Sequence, residues 1–117
     1  MDVKITLLEW WKCPDKTDGT FYNLYAKENG EIGGLEKKYI MLWIKLEIPE
    51  WYYWRIENFW FLTDNWVDTE YWVIHSNFRD EVYIKLKNTT EQEFQYGKWD
   101  ILWKLSFHKI EEATFIL

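Results

Sequence analysis

Few groups in this 117-residue chain could do chemistry: His75, His108, Cys13 and a scatter of carboxylates. A closed zinc site draws on Cys and His at short spacings, and the sequence has no Cys-x-x-Cys and no His-Glu-x-x-His. Asp64, Asn65, Asp68 and Glu70 could offer oxygens to calcium. They lack the glycine and the spacing of an EF-hand loop, so they read as a solvated turn. Ser76 follows His75, but neighbours along a strand point to opposite faces. Cys13 precedes Pro14 in a polar loop and reads as a plain loop or buried thiol. Glu111-Glu112, and Glu91 with Glu93, are paired only along the chain, which cannot set two carboxyls across a cleft. The common phosphate-binding and hydrolase signatures do not occur. The expectation is a protein with no catalytic residue, no metal and no cofactor.

The aromatic residues are what remains. The chain has ten Trp, eight Tyr and seven Phe, 21% of its residues. The stretch from Trp51 to Trp72 holds Trp51, Tyr52, Tyr53, Trp54, Phe59, Trp60, Phe61, Trp66, Tyr71 and Trp72. Such rings bury large areas and dominate cores and interfaces. Trp72, Trp99 and Trp103 sit on apolar faces and read as core. Tyr39, Met41 and Trp43 share the less buried face of one strand, and Trp51 and Tyr53 share the face carrying Arg55 and Glu57. These five, Tyr39, Met41, Trp43, Trp51 and Tyr53, are the candidate binding residues, because exposed Trp and Tyr are favoured interface anchors.

The elements that must position them read as strands. Val3, Ile5 and Leu7 alternate with polar residues, and Phe21 to Lys27 is a short aromatic strand. Asn29-Gly30 is a turn signal. Lys38 to Ile48 carries the clearest alternation, with Ile40, Leu42, Ile44, Leu46 and Ile48 on the core face. Beyond Pro49 the pattern predicts strand from Trp51 to about Ile56, a kink at Glu57-Asn58, and more strand to Leu62. Glu70–Asn77 and the stretch from Val82 to Lys87 read as an antiparallel hairpin. A long core strand carries Trp99, Ile101, Trp103, Leu105 and Phe107, and Phe115-Ile116-Leu117 reads as a last short strand docked in the sheet. The fold class is all-β, an antiparallel sandwich or small barrel of seven or eight strands with room for one short helix, as a single domain over residues 1–117.

Net charge is −6, which disfavours a nucleic-acid backbone and an anionic membrane surface. One cysteine permits no internal disulfide, the first residues lack the pattern of a secretory signal, and no run approaches a transmembrane length. A cytoplasmic setting is expected. Together these features predict a non-enzymatic protein-binding module: an inhibitor, immunity or accessory protein, of viral or mobile-element kind. It would occlude a partner with a basic surface through aromatic anchors and an acidic rim. Homodimerisation through the aromatic face is a further possibility. The alternative is a barrel or sandwich that binds a small apolar or ring-shaped ligand, a sugar, nucleotide or lipid.

Overall fold

The period-two alternation does build strands, and they pair antiparallel throughout. The computed structural model describes residues 1–16, 19–70 and 72–117, with Trp72 described by its backbone. Among these residues the strands are β1 (Lys4–Leu7), β2 (Asp15–Lys16), β3 (Tyr22–Tyr25), β4 (Gly30–Ile32), β5 (Lys37–Met41), β6 (Ile44–Glu47), β7 (Tyr52–Asn58), β8 (Val67–Thr69), β9 (Trp72–His75), β10 (Tyr83–Asn88), β11 (Phe94–Tyr96) and β12 (Ile101–Lys109). One short helix, α1 (Trp60–Asp64), interrupts them. A five-stranded sheet runs β2-β3-β12-β7-β9 and a three-stranded one runs β5-β10-β8; β1 pairs β6 and β11 pairs β4. One apolar cluster fills the space between them, with Trp54, Ile56, Leu102, Trp103 and Leu105 among its members. The expectation that Trp72 joins it falls on a side chain outside the described ones.

The strand count exceeds seven or eight because the short strands β2, β4, β8 and β11 form in stretches that read as connections, and because one long alternating stretch turns a corner. The stretch from Lys38 to Ile48 is two strands, not one. β5 pairs β10, whereas β6 pairs β1. At the corner Leu42 N donates to Val82 O and Trp43 O accepts from Leu8 N. Leu42, Ile44, Leu46 and Ile48 stay buried through the break, so inward parity survives the change of sheet.

The strand expected to reach Leu62 stops at Asn58. Asn58 Nδ2 donates to Val67 O at 2.9 Å and its Oδ1 accepts from Thr69 N at 3.1 Å. That clamp closes a loop in which α1 buries Leu62 and leaves Trp60 exposed. The expected hairpin is also corrected. β9 pairs β7, whereas β10 pairs β5 and β8, so residues 76–82 cross from one sheet to another. Phe115, Ile116 and Leu117 form no strand and are exposed. Apolar composition alone does not dock a chain end: these residues pair with none of the described strands.

Candidate functional site

Two hollows meet at Lys38. The larger, about 650 Å³, is polar and open, lined by Asn29, Gly30, Glu31, Gln95, Tyr96 and Gly97. The smaller, about 280 Å³, is walled by Tyr39, Met41, Trp43, Tyr83 and Tyr96, with Ala26 and Lys27. Lys38 and Tyr96 belong to both.

Strand register puts these groups together. β11 pairs β4 with Tyr96 opposite Gly30. Gly30 is required there, since a Cβ would collide with the Tyr96 phenol and stand 2.9 Å from Lys38 Nζ. β10 pairs β5 with Tyr83 opposite Met41 and Lys85 opposite Tyr39, so these four side chains share a sheet face.

Two lysines, Lys27 and Lys38, line the cleft, and a third, Lys85, stands near the Tyr39 ring in a neighbouring hollow; their electrostatic states differ. Lys27 Nζ is 2.7 Å from Glu9 Oε2 and lies 3.7 Å from the Trp43 ring centre. Lys85 Nζ is 3.5 Å from Glu70 Oε1 and 5.8 Å from the Tyr39 ring centre. Lys38 Nζ has only a long bond to Glu31 O, 3.4 Å, and the Tyr96 ring at 5.3 Å. Among the described residues no carboxylate stands within ion-pair distance of it. Its charge is left for a ligand. The cleft can hold a flat ring against tyrosines and an anionic group at the junction.

Of the five candidate binding residues, Tyr39, Met41 and Trp43 line this cleft and the other two lie elsewhere. Tyr53 sits on β7 and stacks on His108, ring centres 5.2 Å apart. His108 Nε2 is 2.8 Å from Ser106 Oγ, a pairing that suggests a nucleophile, but Ser106 is 2% exposed and out of a substrate's reach. Trp51 stands in the turn before β7, where its carbonyl accepts from Ile110 N. Sequence reasoning missed Lys27, Lys38, Tyr83 and Tyr96. The alternation in β10 did put Tyr83 on the outward face; nothing in the chain showed which lysines the carboxylates would reach.

A second polar group is structural. The Tyr25 hydroxyl donates to Asp15 Oδ1 at 2.6 Å, and Asn23 Nδ2 adds a 3.3 Å bond to the same oxygen. The Tyr25 bond holds the Asp15 carboxyl below the usual aspartate range, and burial pushes the Tyr25 phenol up.

No family model matches this chain, and no curated relative does. Solved structures do match in shape. The dUTPase of Staphylococcus aureus phage phi11 superposes with a TM-score of 0.85 at 15% identity, over 100% of this chain and 96% of that one. The dUTPase of Staphylococcus bacteriophage 80alpha gives 0.86 at 14% identity, over 99% and 95%. The same enzyme solved with dUpNHpp gives 0.86 at 14%, over 99% and 87%. Such identities establish the fold and no more: this chain has the jelly-roll β fold of those dUTPases. The likeness overturns the reading of a non-enzymatic inhibitor acting by occlusion. That reading leaned on missing catalytic signatures, and this same fold, end to end, serves proteins named as enzymes. The small-ligand alternative is the one the comparison favours.

Proposed function

We propose that the chain binds a nucleotide in the cleft at Lys38, with the base against Tyr39, Tyr83 and Tyr96 and the phosphates in the polar hollow. The observation that carries the reading is the Lys38 ammonium, unpaired with any described carboxylate, at the junction of a ring-walled hollow and a polar one. Rings hold a base by stacking, and an ammonium holds a phosphate by charge-assisted hydrogen bonds. The net charge of −6 and the carboxylates Glu28 and Glu31 in the lining leave Lys38 as the contact for an anion, with Lys27 beside it already paired to Glu9. The shape shared with a dUTPase solved with dUpNHpp supports a nucleotide over a sugar or lipid, and makes dUTP the first compound to try.

The test is calorimetric titration with dUTP, dTTP and ATP, followed by phosphate assay of the same samples to detect hydrolysis. Binding of at least one is expected. Lys38→Met is expected to weaken it about tenfold, the loss of one charged hydrogen bond. Failure of all three to bind at millimolar concentration sinks the reading. Unchanged affinity in Lys38→Met moves the site away from this cleft.

Contact with another protein chain, or a second copy, is supported by the exposed apolar Phe115, Ile116 and Leu117. Among the described residues no helix is long and apolar enough to cross a membrane.

A further inference from the structure

We propose that Trp10, Trp43, Trp51, Trp66 and Trp99 occupy glycine positions of this fold, and that the cell from which the gene comes places glycine there. The observation is conformational. Among the described residues seven non-glycine residues have positive φ, and five of them are these tryptophans, at +56°, +64°, +72°, +59° and +77°. Trp supplies ten of 117 residues, so an even spread would put fewer than one among the seven. In this region the Cβ crowds the backbone, and a bulky residue is an outlier.

Four of the five stand at stations with a known demand for glycine. Tyr52 N donates to Pro49 O, closing a turn whose third residue is Trp51. Asp100 N donates to Gly97 O, closing another whose third residue is Trp99. Positive φ at that station is the mark of a type II turn, which takes glycine there. Trp11 N donates to Leu8 O around Glu9 and Trp10, both at positive φ, a type I′ arrangement that favours glycine second. Trp66 follows the C-cap Asn65 of α1 and donates to Thr63 O, the left-handed place where helices end on glycine. Trp43 makes the corner between β5 and β6.

Trp99 meets Trp11 with ring centres 5.0 Å apart and Trp43 lies under Lys27, but the other rings gain little in return. Trp10 is 98% exposed and Trp66 70%, and Trp51 and Trp99 are more than half exposed. Tryptophan and glycine are also linked through one codon: UGA is read as tryptophan in some genetic codes and as glycine in others. A gene whose UGA codons mean glycine yields this chain when it is read in a tryptophan code. The inference is independent of the nucleotide reading. With glycine at 43 the cleft keeps Tyr39, Tyr83, Tyr96 and Lys38.

Peptide mapping by tandem mass spectrometry, on protein isolated from its own cell, decides the point. Glycine residue masses at the five positions, matched by UGA codons in the gene, are expected. Tryptophan at those positions in the isolated protein overturns the proposal. A second measurement uses the recombinant chain with all five changed to glycine. Its Tm is expected to rise above that of the tryptophan form; an equal or lower Tm overturns the claim that these are glycine positions. Neither readout involves a nucleotide, so failure here leaves the cleft untouched, and failure of the titrations leaves this proposal untouched.

Discussion

Trp54 and Trp103 lie in the neighbouring strands β7 and β12, 1% and 0% exposed, and Trp103 Nε1 donates to Thr69 Oγ1 at 3.0 Å. Trp10, Trp51, Trp66 and Trp99 stand in turns, rings outward, on left-handed backbone. The same side chain is a well-packed core residue in one region and a strained ornament in the other. Counting rings therefore says little about a binding surface. Their backbone conformation and hydrogen bonds separate the two sets, and the rings around Lys38 are set apart by sharing their cavity with an ammonium.

The largest effect should come from the core side of this contrast. Trp103→Ala removes a buried ring and orphans the Thr69 hydroxyl, and should cost about 3–5 kcal/mol in urea unfolding. A loss below about 1 kcal/mol would erase the distinction between core and turn tryptophans. Next comes a polar core residue. Asn88 is fully buried; its Nδ2 donates to the Ile32, Gly33 and Gln92 carbonyls, and its Oδ1 accepts from Thr90 N and Oγ1. Asn88→Ala removes the side-chain partner of the Ile32 and Gly33 carbonyls and of Thr90 N, while Thr90 Oγ1 keeps its bond to Gln92 O, and should cost about 2–3 kcal/mol, measured in the same way.

On the turn side the sign reverses. Trp66→Gly should stabilise the chain by about 1 kcal/mol, the relief of left-handed strain less the entropy of glycine, and Tm reads it. A destabilised variant would show that the Trp66 ring packs in solution. The smallest effect is electrostatic and tests the one turn ring with an aromatic neighbour on β3: Trp99 meets Tyr25 edge-on at 6.3 Å. Asp15, bonded to Tyr25, has its pKa lowered on folding. Its contribution is present above the unfolded aspartate pKa and lost as pH falls through the lower folded value. Asp15→Asn should flatten that acid limb slightly, because the carboxylate is partly exposed and well screened. A wild-type acid limb in Asp15→Asn would remove Asp15 as its source.

Much of the architecture was legible in the chain. Strands betray themselves by parity, and Leu42, Ile44, Leu46 and Ile48 are buried as their alternation implied. Tyr39, Met41 and Trp43 were recognisable as a group for the same reason: they alternate along one stretch, two of them on β5 and Trp43 at the corner after it. Trp51 and Tyr53 were not separable from them by any local rule. Residues 59–62 misled because aromatic residues favour strands locally, while the Asn58 clamp onto Val67 and Thr69 closes a loop there.

By itself the sequence determined the class of the fold, the inward and outward sides of its strands, and a surplus of rings too large for one core. These follow from side-chain period and composition, which are local properties. The tertiary structure alone decided where a strand leaves one sheet for another, because side-chain parity is the same on both sides of a corner. It decided which tryptophans stand on left-handed backbone, because φ there is set by how each turn closes. It decided that Lys27 and Lys85 are paired while no described carboxylate reaches Lys38, because Glu9 and Glu70 meet those two lysines only through folding.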